Sequence, residues 1–238
     1  MLKGCYFRFI SSINRAFSMI ETVHAVVLRA ENLSDYDQRL VLYTKEFGKI
    51  RANIIGVKKI VSRLRYLTIP FAEFRLQVYL HGGKRKSPND PGKVIGGEAL
   101  QYRSILSQDW ERMVHSSAML EMLDALTQSF YPNAREYDWL AQSLDQMQTT
   151  SSPLLTRCRF ALGLLKILGY SLRSHAMWNY FSEQERGLLD RLAKWNSSDS
   201  FSYIEERHLE SLTKNYLERY LPYPLKTEIF RQKCNAFA

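Results

Sequence analysis

The sequence predicts an α+β fold in which a small five-stranded β-barrel, over residues 19–100, is followed by an all-helical domain, over residues 101–238. The hydrophobic period changes just past Tyr102 from two, typical of half-buried strands, to 3.6, typical of helices. The charge changes at the same place: residues 1–100 hold 17 Lys and Arg against 8 Asp and Glu, whereas residues 101–238 hold 16 of each. This difference indicates that the two parts have different functions.

The strands are predicted from Met19 onward. Residues 1–18 carry three basic residues and no acidic one, a composition typical of an organelle presequence or of an extension upstream of the true start. We interpret them as an extension and leave them out of the fold prediction. Turn formers separate the runs of alternating or β-branched residues that predict strands. The predicted strands are 23–28, 40–44, a third from residue 48 that Gly56 ends, 70–80 and 94–100.

The third and fourth predicted strands alternate most clearly. In the third, Ile50, Ala52 and Ile54 face one way, and basic or amide side chains face the other. In the fourth, Phe71 is expected on the same outward face as Glu73 and Arg75. Five short strands with a basic face predict a Greek-key barrel of the OB type.

The second part of the chain predicts helices. One apolar stripe runs from Ile105 through Trp110 to Leu126, and a second helix covers residues 137–147. Residues 154–168 are apolar nearly all round and predict a buried helix that Gly169 ends. Ser182 and Glu185 form a capping box for a helix reaching Trp195. A last long helix spans residues 209–220 and ends at Pro222.

Motifs that would indicate an enzyme are missing from the sequence. It contains no phosphate-binding loop, no nucleophile elbow, no zinc-protease motif and no dinucleotide fingerprint, and its five histidines are scattered. Asp35 and Asp37 lie in a turn and are expected to bond local backbone. Three distant cysteines imply no disulfide framework, and no apolar run could cross a bilayer. We therefore expect no enzyme, cofactor, bound metal or membrane, and a reduced, cytoplasmic setting.

A basic stretch, residues 48–66, predicts a nucleic-acid groove. No acidic residue lies between Glu46 and Glu73, and a strand and loop of one charge sign would attract phosphates. Six phosphate contacts would give a log–log salt slope of roughly −4 to −5. Tyr66 is predicted to stack on a base, although a barrel-core position would also suit it, and an ordinary solvated strand remains an alternative for the whole stretch. The predicted DNA-binding cations are Lys49, Arg51, Lys58, Lys59, Arg63 and Arg65, with Lys84, Arg85 and Lys86 in the long loop after the fourth strand.

The sequence resembles the RecO family of bacterial recombination mediators over nearly all of residues 20–232. Single pieces are short, but they occur in the family's order and spacing. The pieces that carry the resemblance are AVVLRAENLSDYDQRLVLYTKEFGKIRANIIGVKK, MLEMLDALT, PNAREYDWLAQSL, RFALGLLKILGY and YLERYLPYPLKT.

The resemblance implies binding to single- and double-stranded DNA, annealing of complementary strands, and no catalytic centre. It implies joint action with RecR in loading the RecA recombinase onto strands coated by single-strand-binding protein (SSB), hence a bacterial, nucleoid-associated protein. The family's helical domain also receives the acidic, apolar C-terminal tail of SSB. The candidate cations for that tail are Arg103, Arg112, Arg157 and Arg159, each on a mostly apolar predicted helix.

One departure from the family concerns zinc. Many members carry four cysteines in two C-x-x-C pairs just after the LLGY helix, where they hold a structural zinc. Residues 169–203 contain no cysteine. We expect this module to be reduced, or replaced by the predicted helix from Ser182 to Trp195.

Two other functions fit the same residues. A basic OB protein could bind RNA in translation or ribosome assembly, because phosphates dominate affinity for both nucleic acids. A third hypothesis is that the protein is a structural adaptor whose barrel is basic by chance. The large helical part, whose net charge is zero, favours the mediator over a simple RNA binder.

Overall fold

The computed structural model describes residues 19–80, 91–174, 176–195 and 200–235, and it confirms the predicted α+β fold. The chain forms two compact units. The first holds the described residues up to Tyr102 together with 129–132, and the second holds 103–128 and the described residues from Asn133 onward. The predicted extension, residues 1–18, lies outside the described residues.

The first unit is a closed five-stranded barrel with strand order β1-β2-β3-β5-β4. Neighbouring strands are antiparallel except β3 and β5, which run parallel where Ala52 and Asn53 face Gly92 and Lys93. The inward residues of β3 are fully buried, as the alternation predicts. The strands are β1 (Met19–Asn32), β2 (Gln38–Thr44), β3 (Gly48–Ile54), β4 (Glu73–Leu80) and β5 (Gly92–Gln101).

The predicted start of β4 is wrong. The strand begins at Glu73, and Phe71 lies before it with a positive φ of 63°. Phe71 is 2% exposed, so it does not share the outward face of Arg75. The alternation in the sequence continues through a turn that reverses the direction of the Phe71 side chain.

The corner between β2 and β3 explains the stretch TKEFGKI, residues 44–50, which is part of the family resemblance. Thr44 Oγ1 donates to the Gly48 carbonyl (2.9 Å), and the Glu46 carboxylate accepts from the His24 backbone N–H (2.9 Å). Gly48 has φ +67°, and a Cβ there would lie 2.3 Å from the carbonyl oxygen of Tyr131. Only glycine therefore fits where residues 129–132 return to the barrel, a contact the sequence does not predict.

The second unit is helical. The capping box is confirmed, because Ser182 Oγ accepts from the Glu185 N–H and the Glu185 carboxylate accepts from the Ser182 N–H. The predicted buried helix over residues 154–168 is also confirmed, with Pro153 in its first turn and Gly169 at φ +92° after its end. The helices are α1 (Ile105–Gln108), α2 (Trp110–Leu126), α3 (Ala134–Thr149), α4 (Pro153–Ile167), α5 (Glu183–Lys194), α6 (Tyr203–Leu217) and α7 (Lys226–Asn235).

Two helix predictions are wrong. The stripe from Ile105 to Leu126 is not one helix, since Asp109 is extended and caps α2 by accepting from the Arg112 N–H. Trp110, predicted on the buried stripe, is 48% exposed. The helix ending before Pro222 is not the last, because α7 follows it. The Glu121 carboxylate accepts from the N–H groups of Lys226 (2.7 Å) and Thr227 (3.0 Å) and so caps α7 from a distant part of the chain.

An apolar core lies in the segment where the zinc module is expected to be reduced or replaced. Trp195, which is fully buried, packs with Leu189 and Leu192 of α5, and Trp178 and Phe181 pack against them. Without a cysteine between Gly169 and Tyr203, these residues do not fit a four-cysteine zinc site. In the part of the chain that the structure describes, no three His, Cys, Asp or Glu side chains lie together as a metal site. None of the described helices is long and apolar enough to span a membrane.

Candidate nucleic-acid interface

Two loops are joined at one end of the barrel: residues 33–37, between β1 and β2, and residues 55–64, after β3. Asp37 Oδ1 accepts the Gly56 N–H at 2.7 Å, and the Lys58 N–H donates to the Tyr36 carbonyl at 3.1 Å. Gly56 adopts φ +68°, a conformation that favours glycine. Asp37 was expected to bond only to backbone groups of its own turn, but its carboxylate also accepts a hydrogen bond from the second loop.

The hydrogen bonds to Asp37 favour the ionised form of its carboxyl. The Gly56 N–H and the Ser34 hydroxyl, together with the nearby Lys59 charge, hold the pKa of Asp37 below its ordinary value. The Ser34 hydroxyl also accepts from the backbone N–H of Tyr36 (3.3 Å) and Asp37 (3.1 Å). The first loop is thus held both internally and to the second.

The second loop presents its cations between two anchors. Val57 is buried in the barrel core, and Leu64 packs against the same core. Lys59 and Arg63 lie between them and are exposed, as is Arg65 just beyond Leu64. Arg65 Nη2 donates to the Lys58 carbonyl (3.2 Å) and the Lys59 carbonyl (3.1 Å), so its guanidinium braces the loop.

Tyr36 is an exposed aromatic residue of this site and was not among the predicted DNA-binding residues. Lys59 Nζ lies 5.5 Å from the centroid of its ring, and Tyr36 is 56% exposed. An exposed ring beside a cation is the arrangement on which a nucleobase can stack. An aromatic residue inside the acidic turn S-D-Y-D is the sequence signal that could have indicated it.

Tyr66, the predicted stacking residue, is placed differently. It is half-buried against the barrel core, and its hydroxyl donates to the Gly97 carbonyl. This arrangement supports the core interpretation that the sequence left open.

The outer face of the strands adds two cations that were not predicted. Arg39 on β2 and Lys93 on β5 both face Asn53 of β3 in register, and Arg39 Nε donates to Asn53 Oδ1 at 3.1 Å. Arg51 is exposed and lies diagonally from Arg39 on the same face. Lys49 is half-buried at the opposite end of β3, about 16 Å along the strand from Ile54.

The predicted cations of the long loop stay untested. Residues 81–90, which contain Lys84, Arg85 and Lys86, lie outside the described residues. The described chain resumes at Pro91, and the next residue, Gly92, faces Ala52 near the end of β3.

The helical unit engages all four arginines proposed for the SSB tail. Arg103 Nε donates to Asp145 (2.7 Å), and Arg112 donates to carbonyls at the end of α3, including that of Thr150 (2.9 Å). Arg159 donates to Gln146 (2.9 Å), and its guanidinium lies 5.5 Å from the Trp139 ring. These three arginines therefore make contacts within the helical unit.

Arg157 belongs to a buried charged cluster. It pairs with Glu210 (2.8 Å) and with Glu228, and Arg231 pairs with the same two carboxylates. Burial would raise the pKa of Glu210, but the hydrogen bond from Arg231 and the nearby arginine charges lower it below its ordinary value. A cavity of about 180 Å³ adjoins the cluster, and its walls include Met122, Lys214, Leu217, Leu221, Leu225 and Ile229.

Two protein-family models match the chain. The one for "Recombination protein O N terminal" matches residues 19–87, and the one for "Recombination protein O C terminal" matches residues 107–177. Together they match more than half of the chain.

Curated relatives agree with these matches. A DNA repair protein RecO from Desulfitobacterium hafniense (strain DSM 10664 / DCB-2) is 30% identical over 151 residues, 63% of this chain and 52% of the relative. The DNA repair protein RecO of Pelotomaculum thermopropionicum is 31% identical over 146 residues, 61% of this chain and 54% of the relative. That of Listeria monocytogenes serotype 4b (strain CLIP80459) is 27% identical over 150 residues, 63% and 56% of the two chains. The chain spans about half the length of the curated relatives it matches.

Proposed function

Since the chain belongs to the RecO family, we propose that it is a DNA-binding recombination mediator that acts in DNA repair. In this proposal it binds single- and double-stranded DNA, anneals complementary strands and, with RecR, helps load RecA onto SSB-coated single strands. It acts by binding and carries out no catalysis. The name DNA repair protein RecO, shared by the relatives, supports the repair role.

The basic end of the barrel is the observation that carries the proposal. We define the basic end as Tyr36, Arg39, Arg51, Lys58, Lys59, Arg63 and Lys93. Two acidic side chains near it are engaged, since Asp37 bonds to Gly56 and Glu31 pairs with Arg29, whereas Asp35 lies exposed in the same loop. Cations on adjoining strands and one loop could neutralise several phosphates, and each would release a counterion from the DNA. Tyr36 supplies an aromatic face for a base.

Annealing follows from the same chemistry. Two complementary strands repel each other through their phosphates, and a cationic surface lowers that repulsion when it binds both. Sequence-independent phosphate contacts suit this role, because annealing must work on any pair of complementary strands.

We further propose that the cavity of the helical unit receives the SSB tail. Its apolar walls, including Leu221, Leu225 and Ile229, would take the tail's apolar end, and Lys214 would face its acidic residues. Of the four candidate arginines, Arg157 lines this cavity, but it is already paired with Glu210 and Glu228. Lys214 is paired as well, with Glu218, but that pair is longer (3.8 Å) and far more exposed. Lys214 therefore replaces those arginines as our candidate cation.

A strand-annealing assay tests the proposed function. Complementary labelled DNA strands are mixed with the purified protein, with and without SSB, and matched RNA strands serve as the comparison. We expect DNA annealing to accelerate and to persist on SSB-coated strands. Acceleration with RNA alone would contradict the proposal and favour the RNA-binding alternative.

A further inference from the structure

The loop of the basic end carries two aliphatic side chains at its outermost point. Ile60 is 94% exposed, the highest value for a large apolar residue in the described ranges, and Val61 is 85% exposed. Both are β-branched. Isolated exposed apolar residues are common on protein surfaces, but here two neighbours project together within a cationic loop.

The loop backbone is fixed by several hydrogen bonds. The Lys59 N–H donates to the Gly56 carbonyl (3.1 Å) and the Ser62 N–H to the Lys59 carbonyl (3.0 Å). The Leu64 N–H donates to Ser62 Oγ (3.3 Å), and the Arg65 guanidinium holds the carbonyls of Lys58 and Lys59. Ile60 and Val61 therefore lie on a loop whose backbone is fixed by hydrogen bonds. Val57, which is buried, anchors this loop to the barrel core.

Charge identifies the partner of these two side chains. Lys58 and Lys59 precede them, Arg63 and Arg65 follow them, and no acidic residue lies between Glu46 and Glu73. The partner must therefore offer apolar surface immediately beside negative charge. Stacked nucleobases bordered by phosphates do so, and proteins insert Ile and similar side chains between base steps.

Taking the proposed DNA binding as its basis, we propose that Ile60 and Val61 form a wedge that enters between neighbouring bases of bound DNA and unstacks them. Lys58, Lys59 and Arg63 hold the flanking phosphates during insertion. Tyr36, whose ring lies beside Lys59, could receive an unstacked base. Unstacked bases are open to pairing with a complementary strand, which would assist annealing.

The test uses a single-stranded oligonucleotide with 2-aminopurine between adenines, because the emission of this base rises when it is unstacked. The full chain is compared with the double variant Ile60→Ser/Val61→Ser over a salt series. Ile204→Ser serves as a matched control, since Ile204 is 79% exposed but lies on α6 in the helical unit. A second double variant, Ile60→Leu/Val61→Leu, keeps the apolar wedge.

We expect the parent, the control and the leucine variant to raise the emission. The serine variant should keep the parent's salt slope and lose most of the emission increase. An equal increase with the serine variant would overturn the wedge and leave the two residues for a protein partner. The wedge would also be overturned if the leucine variant lost as much of the emission increase as the serine variant. Salt-dependent binding by the parent without any increase would refute the wedge alone, whereas no binding to DNA would refute the proposed function and the wedge together.

Discussion

The carboxylate of Asp37 accepts the backbone N–H of Gly56, 19 residues further along the chain, at 2.7 Å and so joins two loops of the barrel. This contact brings Tyr36 beside Lys59. We predict that Asp37→Asn weakens DNA binding without unfolding the barrel, because the amide is a poorer acceptor for the Gly56 N–H. Asp35→Asn is the matched control, since Asp35 lies exposed in the same loop and changes the charge equally. Equal effects of the two variants on DNA affinity would show that charge alone matters.

The pH dependence of this contact follows from the lowered pKa of Asp37. The stabilisation is complete above the unfolded value of 3.8 and is lost only as the pH falls through the lower folded value. Protection of the Gly56 amide from hydrogen exchange should therefore persist through mildly acid conditions. Loss of that protection near neutral pH would contradict the assignment.

Gly48 provides a prediction about stability. Gly48→Ala should lower the free energy of unfolding by more than about 2 kcal/mol, because φ +67° strains any side chain and the new Cβ would meet the Tyr131 carbonyl. Gly187→Ala is the control. It lies within α5 with nothing within 4 Å of its added Cβ, so it should stabilise by about 0.5–1 kcal/mol. Denaturant unfolding measures both, and a neutral Gly48→Ala would refute the close approach.

The buried pair of Arg157 and Glu210 should be sensitive to the loss of one partner. Glu210→Gln keeps the side-chain volume but leaves Arg157 with Glu228 alone. We expect a loss of about 3 kcal/mol, at the low end for a broken buried pair because Glu228 remains. Glu218→Gln is the control, because it breaks the exposed ion pair between Glu218 and Lys214. It should cost less than about 1 kcal/mol. Similar losses for both variants would contradict this account.

His115 should make the helical unit sensitive to acid. Burial, with the positive charges of Arg157 and Arg231, lowers the pKa of His115 to about 3. Between this value and the ordinary 6.5 the unfolded chain binds more protons, so stability falls by up to about 1.4 kcal/mol per pH unit below pH 6.5. His115→Leu should flatten that decline, and His208→Leu, at an exposed position, should retain it. An unchanged acid profile for His115→Leu would show that this histidine is not buried and neutral.

Features encoded in neighbouring residues could be predicted from the sequence. The alternation of Ile50, Ala52 and Ile54 and the Ser182–Glu185 capping box both match the structure. Local patterns suffice there, because strand faces and helix caps depend on residues a few positions apart.

Features that depend on contacts between distant residues could not be predicted from the sequence. The start of α7 depends on Glu121, about a hundred positions before Lys226, and no local cap signals it. Tyr36 joins the candidate site through the Asp37–Gly56 contact and through the Lys58 N–H that its carbonyl accepts. Arg39 and Lys93 join it through strand pairing. The alternation through Phe71 was misleading because a turn there adopts a positive φ.

The salt dependence of DNA binding by Lys58→Glu/Lys59→Glu tests the central claim most directly. Arg186→Glu/Lys194→Glu, a charge reversal of equal size on α5, is the matched control. If the basic end binds phosphates, the first variant should bind every DNA sequence more weakly, with a slope of log K against log salt shallower by about two. The control should keep the parent's slope. Equal affinity and slope for the parent and Lys58→Glu/Lys59→Glu would contradict the claim that this end of the barrel binds DNA.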